Sequence, residues 1–314
     1  MELHNFKILV FSGDTNIYPI LDFLHQKGKL GGISFDKGDT PGIQQLQQTL
    51  APSGIPMLNY LPTHMDEVKA KIAQFSCDVG LIFGFGHILP KEIIDLFPRG
   101  VYNIHPSALP YYKGPQPIFW QLKNNEQKTA LTLHQVTEDI DSGDIIKILP
   151  FDISPFDIYG SLVGEIVKKS IELLQIFIDE LSNSKTKILK GTAQKSLDKS
   201  SYFPRTKIED VQIDWEKMGS DEISALARAA QGHFHGAHTK FNKALLSIPQ
   251  ISKSAMPTYN VPAGTILSVD ESDGLIVALK DEAICIDIIS VADGTFSGAN
   301  FALKFNLEAG MKLG

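Results

Sequence analysis

The sequence predicts an α/β fold: a doubly wound, mostly parallel sheet followed by a small C-terminal β-barrel of OB type. Three observations carry this expectation. Strand-length apolar runs alternate with helix-period segments through the first half of the chain. Beyond Trp215 the runs become short and β-like, the spacing of a small barrel. A stretch rich in Ser, Lys and Thr lies between them. The expected division is therefore 1–183 for a first domain, 184–204 for a linker and 205–314 for a second domain.

In order along the chain, residues 7–11 read as a buried strand, followed by Ser12-Gly13-Asp14 and an amphipathic helix through Ile17, Leu21 and Leu24. A second strand fits 32–35, and helices fit 42–50 and 65–75. Residues 79–83 are strongly apolar and run into Gly84-Phe85-Gly86. A short helix follows Pro90, with Ile93, Ile94 and Leu96 apolar, and 101–105 is the next strand. Runs at 130–136 and 145–149 read as strands flanking a loop, Asp139-Ile140-Asp141-Ser142-Gly143-Asp144. Residues 155–181 carry Leu162, Ile166, Leu173, Phe177 and Leu181 near helical spacing. The linker holds one short extended piece at Ile188-Leu189, and a helix fits 221–230. Strands fit 244–248, 264–269, 275–279 and 283–289.

With 314 residues the chain can build two domains and a large core. A run of about 18 apolar residues would be needed to cross a membrane as a helix, and there is none. The N-terminus enters an apolar run at Phe6 without a basic leader, so no secretory signal is expected and a cytoplasmic location is. Two cysteines, Cys77 and Cys285, exclude a disulfide framework or a Cys-rich metal site. The net charge of −7 argues against a large nucleic-acid footprint.

The chemistry concentrates at Val101-Tyr-Asn103-Ile-His105-Pro106. Residues two apart on a strand share a face, so Asn103 and His105 project together. Pro106 cannot donate to a central ladder and ends the strand there. In a parallel α/β sheet this carboxyl end is where ligands bind. An amide donor beside an imidazole base suits a carbonyl centre that gains negative charge while a proton leaves. Asp141, in the loop between the next two strands, can orient the imidazole and favour its protonated form.

Isolated Asn-x-His pairs are common, and the neighbouring residues decide the case. Asn103-Ile-His105-Pro-Ser107-Ala-Leu-Pro110 is followed by Gly114-Pro-Gln-Pro117, Ala130-Leu-Thr-Leu-His134 and Asp141-Ser-Gly-Asp144. Upstream stands Phe85-Gly-His-Ile-Leu-Pro90; downstream stand Ile213-Asp-Trp215 and Pro262-Ala-Gly264. In order and spacing these resemble the folate-dependent formyltransferases, in particular the two-domain methionyl-tRNA formyltransferase group and the related nucleotide-amino-sugar N-formyltransferases. Their pattern is Asn-x-His-x-Ser-Leu-Leu-Pro, a Gly and an Ala-Pro pair, a Thr-rich strand and Asp-x-Gly-Asp. The resemblance implies a formyltransferase-like Rossmann-type first domain with Asn103, His105 and Asp141 as the catalytic trio. It implies 10-formyltetrahydrofolate as co-substrate, held by Phe85, Gly86, His87, Ile88, Leu89 and Pro90 on one side and by Glu138 and Ile140 on the other. Ser107, Leu109, Pro110, Lys113 and Gly114 then form the acceptor entrance, and no metal is expected.

Departures from the family pattern bear on the acceptor. Family members that formylate initiator tRNA carry an Arg/Lys-rich insertion after the second strand; this chain has Asp36-Lys-Gly-Asp-Thr-Pro, with one lysine and two acids. Phosphate neutralisation needs Arg or Lys. From Arg205 onward Asp and Glu outnumber Lys and Arg. His233-Phe-His-Gly-Ala237 replaces the usual Pro-Trp-Pro-Gly-Ala, and the run from Phe203 to Trp215 looks closer to enzymes acting on nucleotide-linked amino sugars. Ala108 and Lys113 replace the family's Leu and Arg. A small metabolite amine, such as a nucleotide-linked amino sugar, is therefore the expected acceptor. Initiator tRNA is the alternative, kept open by a basic string at Lys185, Lys187, Lys190, Lys195 and Lys199.

Other features are weaker. His233, His235 and His238 have no acidic or Cys partner nearby in sequence and read as packing, capping or acceptor-contacting residues rather than a zinc site. Gly13 alone is no dinucleotide fingerprint, which removes a nicotinamide-dependent oxidoreductase. A module that only binds folate or nucleotide is disfavoured by the intact trio. His134 reads as structural or acceptor-lining, and Trp120 and Trp215 as packing anchors.

Overall fold

The computed structural model describes residues 5–36, 40–184, 186–195, 201–242, 244–270, 272 and 274–314. Within them the first half of the chain runs β1 (Ile8–Ser12), α1 (Tyr18–Gln26), β2 (Leu30–Phe35), α2 (Pro41–Leu50), β3 (Met57–Asn59), α3 (Met65–Gln74), β4 (Val79–Ile82) and α4 (Lys91–Ile94). It continues through β5 (Val101–His105), α5 (Pro117–Lys123), β6 (Lys128–Gln135), β7 (Ile145–Asp152) and α6 (Tyr159–Asn183). Among the described residues the strands form a seven-stranded sheet in the order β3-β2-β1-β4-β5-β6-β7. It is parallel from β3 to β5, and β6 runs antiparallel to β5. The mostly parallel α/β expectation is met.

Burial explains the sequence pattern. Every residue of β1 and β4 is buried, so these strands read as unbroken apolar runs rather than alternating ones. The chain reverses its direction of travel across the sheet between β1 and β4. Switch points of this kind leave a crevice at the carboxyl ends of the strands. There Gly13 N–H donates to the Gly84 carbonyl at 2.8 Å, tying the loops after β1 and β4 together.

The second half runs α7 (Ser220–Phe234), β8 (Ala237–Phe241), β9 (Ala244–Ser254), β10 (Ile266–Asp270), β11 (Gly274–Ala278), β12 (Ala283–Val291), β13 (Gly294–Ser297) and α8 (Gly298–Lys304). Its strands pair antiparallel in the order β10-β11-β12-β9-β8, with β13 on β12, the sheet of a small barrel-like domain. α7 buries Ile223, Leu226, Ala227 and Ala230 at helical spacing. Trp215 is buried and donates its indole N–H to Thr239 Oγ1 at 2.8 Å.

The chain separates into two compact units, one of Met1–Pro115, Lys128–Phe151 and Gly164–Phe203, the other of Gln116–Gln127, Asp152–Val163 and Pro204–Gly314. Side-chain bonds within the second unit explain its two short N-terminal pieces. Trp120 Nε1–H donates to the Pro204 carbonyl at 3.0 Å, and Lys123 Nζ to the Asp210 carbonyl at 2.7 Å. Arg228 reaches the Asp157 carbonyl and Asn125 Oδ1, each at 2.9 Å.

The three histidines of the second unit have separate surroundings. His233 meets the Tyr159 ring at 5.0 Å, His235 takes a left-handed conformation (φ 61°) at the end of α7, and His238 is buried and donates Nε2–H to the Phe234 carbonyl. Among the described residues no group of His, Cys, Asp and Glu is arranged to hold a metal ion. None of their helices is long and apolar enough to cross a membrane. Lys37 and Asp39, and Lys185 and Lys199 of the basic string, lie outside the described residues.

Candidate active site

β5 brings Asn103 and His105 to the sheet's carboxyl end, and Pro106 ends the strand as its chemistry requires. Asp141 reaches the same point from the loop between β6 and β7, in a left-handed conformation (φ 47°) that Asp tolerates better than most residues. Its Oδ1 lies 3.3 Å from Asn103 Nδ2, 3.6 Å from His105 Nδ1 and 3.5 Å from His134 Nε2. Its Oδ2 accepts the Gly114 N–H at 2.9 Å. The structure thus brings the three sequence-selected residues together and adds His134, which stands directly opposite Asn103 in the β5–β6 register.

Hydrogen bonding fixes the His105 tautomer. His105 Nε2 lies 2.9 Å from the Tyr112 carbonyl, an acceptor, so Nε2 carries the proton and Nδ1 presents its lone pair towards Asp141. His134 Nδ1 lies 2.8 Å from the Gln135 carbonyl, and its Nε2 lies 3.2 Å from Asn103 Nδ2. Burial pushes the His105 imidazole below the usual histidine value, outweighing the Asp141 charge that pulls it up. Burial also opposes the charge on Asp141. The His105 imidazole, its neighbour His134 and the Gly114 N–H more than offset it, holding the carboxyl well below the usual carboxylate range. The outcome at neutral pH is a neutral base, His105 Nδ1, facing an ionised carboxylate.

The loop after β5 is braced throughout. Ser107 Oγ donates to the Tyr111 carbonyl at 2.7 Å, and Thr132 Oγ1 donates to the Ser107 carbonyl while accepting the Leu109 N–H. Leu109 is buried and the Leu109–Pro110 peptide is cis. Lys113 Nζ donates to Ser142 Oγ at 3.0 Å. Lys113 also pairs through its backbone with Ser201 and Phe203, and the Tyr112 and Phe203 rings stack at 4.9 Å. Gly114 has φ 109°, and a Cβ there would run into the Phe203 carbonyl.

The segment 85–90 leaves the carboxyl end of β4. Phe85 sits edge-on to Phe11 and Tyr60, and to His87 beside it. The Gly86 N–H donates to Asp36 Oδ2 at 2.8 Å, Leu89 is buried and Pro90 caps α4. Ile88 projects outward, 59% exposed, and Ile140 of the facing loop is 40% exposed. Lys91, which follows Pro90, is held to Asp95 at 2.7 Å.

Sequence reasoning missed Gln194, Tyr112 and residues 201–203. Gln194 Nε2 donates to the Asp141 and Gly143 carbonyls at 2.8 and 2.9 Å, clamping the aspartate turn. Tyr112 and residues 201–203 hold His105 and the loop after β5 through backbone groups, which leave no side-chain signature. His134 was visible on its strand, but only the register places it against Asn103.

Comparison with known proteins places the chain in a family. Residues 7–174 match the formyl transferase family and residues 205–305 its C-terminal domain. A methionyl-tRNA formyltransferase of Bacillus subtilis (strain 168) is 28% identical over 266 residues, covering 83% of this chain and 80% of that protein. The crystal structure of WlaRD, a sugar 3N-formyl transferase in the presence of dTDP and 5-N-formyl-THF, shares the fold with a TM-score of 0.62 at 21% identity, covering 89% of this chain and 96% of that one. HypX from Aquifex aeolicus in complex with tetrahydrofolic acid superposes with a TM-score of 0.64 at 17% identity; 96% of this chain is covered, and it spans only 48% of HypX. With both domains matched in order around a converged Asn, His and Asp, the chain belongs to the formyl transferase family.

Proposed function

We propose that the protein moves a formyl group from 10-formyltetrahydrofolate to a primary amine, using Asn103, His105 and Asp141. The observation that carries this reading is the convergence of Asn103 Nδ2 and His105 Nδ1 on one Asp141 oxygen at the strand ends. His105 Nδ1 accepts the proton that the amine loses on attack, and the imidazolium so formed faces the Asp141 carboxylate until it gives that proton to the departing nitrogen as the old carbon–nitrogen bond breaks. Asn103 N–H donates to the carbonyl oxygen as it gains charge. Burial keeps these interactions strong, since water is held off. General acid–base help of this kind contributes roughly 10²–10⁴-fold.

The segments 85–90 and 138–141 suit the folate. Ile88 and Ile140 offer exposed apolar surface to a flat ring, and the loop backbones are braced from behind by Asp36 and the Phe85 cluster. Gly86, His87, Leu89, Pro90 and Glu138 complete that cradle. Bound 10-formyltetrahydrofolate supplies the formyl carbon and the departing nitrogen. Ser107, Leu109, Pro110, Lys113 and Gly114 border the acceptor side.

The acceptor in this reading is a small amine, of the class of nucleotide-linked amino sugars. Acids outnumber bases from Arg205 onward, and Lys113 offers one cation beside the site, enough for a phosphoryl group and few for a polynucleotide. The second reading, methionyl-tRNA, is favoured by the name of the Bacillus relative and by Lys187, Lys190 and Lys195, all exposed. Formyl transfer from 10-formyltetrahydrofolate to charged initiator tRNA and to a panel of nucleotide-linked amino sugars tests both. Turnover with a sugar alone supports the first reading, and turnover with tRNA alone replaces it. Near-normal turnover by H105A would overturn the mechanism.

A further inference from the structure

We propose that Asp36 is a positioning residue whose carboxylate holds the backbone of residues 85–90 in a receptive shape before folate arrives; this rests on the proposed role of that segment. Asp36 is the first residue after β2, and its own N–H donates to the Ser12 carbonyl at 3.2 Å. Its backbone is thereby fixed against the end of β1. From there its Oδ2 accepts the Gly86 N–H at 2.8 Å, across 50 residues of chain. The bond joins the carboxyl end of β2 to the segment that leaves β4. Beside it, the Gly13 N–H bond to the Gly84 carbonyl joins the ends of β1 and β4.

Two glycines make room for that carboxylate. A β-carbon on Gly13 would collide with the Asp36 carboxyl group, and one on Gly86 would lie 2.6 Å from its Oδ2. Neither glycine has a positive φ, so what the position requires is space and not backbone freedom. Gly13 belongs to no dinucleotide fingerprint, yet it has a reason to be glycine: it seats Asp36.

The other contacts of the segment show why an anchor matters. Phe85 lies edge-on to Phe11 and Tyr60, and Leu89 is buried, so apolar packing secures both ends. Between them Gly86 and Ile88 are exposed, and a glycine leaves its backbone many alternatives. A backbone N–H held by a carboxylate makes a hydrogen bond about twice as strong as a neutral pair. Once it is lost, the segment samples shapes that do not receive folate. Apparent affinity then falls in proportion to the receptive fraction. Asp36 acts on the folate only through Gly86.

The test uses the full chain, tetrahydrofolate as the probe in titration calorimetry, and the variants D36A, D36N, G13A and G13A/D36A. D36A removes the acceptor, D36N keeps one, and G13A displaces the carboxylate with a single methyl group. Kd is expected to rise about ten-fold in D36A and in G13A, the worth of one such hydrogen bond. D36N should recover most of that loss. G13A should add nothing to D36A, because the group it displaces is already gone. Wild-type affinity in D36A, equal losses in D36A and D36N with both folded, or additive losses in the double variant overturns the inference. Exchange of the Gly86 amide with solvent, followed by NMR without ligand, gives a readout independent of folate. Faster exchange in D36A and G13A than in wild type supports the anchor, and equal rates overturn it. Failure of the wild type to bind tetrahydrofolate would defeat the proposed function, whereas normal binding by both wild type and D36A would defeat the role of Asp36 alone.

Discussion

Asp141 shows how one residue can set the protonation of a site. It holds a left-handed backbone, is nearly buried and gathers Asn103, His105, His134 and the Gly114 N–H around two oxygens. Its charge raises the proton affinity of His105, while burial lowers it further than the charge can restore. The His105 titration midpoint, followed by imidazole NMR, is therefore expected below the usual histidine value of about 6.5. In D141N that raising influence is gone and only the Tyr112 carbonyl still opposes burial, so the midpoint should move lower still while turnover falls roughly 10²–10⁴-fold. A midpoint that rises in D141N would show that desolvation is not the controlling effect. Linkage gives a matching stability profile. As pH falls below about 6.5 the unfolded chain's histidine takes a proton that buried His105 resists, so stability declines. Below about 3.9 a second loss begins, because Asp141 stays ionised in the fold after its unfolded counterpart has protonated.

At the scale of elements, β5 was fully legible: its two-residue period joins Asn103 to His105 and Pro106 marks its end. The long apolar runs of β1 and β4 and the periodic helices α2, α3 and α6 were legible for the same reason, since burial on fixed faces writes itself into hydrophobic spacing. Three-residue β3 and seven-residue α5 were not, because so short an element shows less than one full repeat of its pattern. The residues 188–194 and 201–203 read as hydrophilic linker. Yet Leu189 N–H donates to Tyr102 Oη, Gln194 clamps the Asp141 turn, and Ser201 and Phe203 pair with Lys113 through backbone atoms. Such pairing is indifferent to side-chain type, so composition cannot reveal it. Gly114 is where it reaches the site. With φ 109° and the Phe203 carbonyl where a β-carbon would stand, G114A should destabilise the protein by about 1–3 kcal/mol. It should also weaken the Gly114 N–H contact to Asp141, lowering kcat more than the folate KM. A melting temperature and kcat equal to wild type would show that the loop yields freely and does not tension the site.

For the whole molecule, charge bears on the acceptor. The chain carries a formal −7, and its exposed lysines in the described part of the basic string are Lys187, Lys190 and Lys195. A polynucleotide acceptor must be held by its phosphates, and each phosphate neutralised adds a slope of about −0.9 to the logarithm of affinity against the logarithm of salt. Three such contacts would weaken binding tens of fold between about 50 and 200 mM salt. A small acceptor with a phosphoryl group near Lys113 makes far fewer. The expected result is a shallow salt dependence of the acceptor KM, unchanged within about two-fold in K187E/K190E/K195E, because charges on exposed side chains are screened beyond about 10 Å in 0.1 M salt. K113E should raise that KM while leaving the folate KM alone if Lys113, held beside Ser142, serves the acceptor as proposed. A steep salt slope abolished by the triple reversal would instead assign the string to an RNA path, and the acceptor with it. The two outcomes separate because the cations concerned sit on different segments, one in the loop after β5 and three between α6 and Ser201.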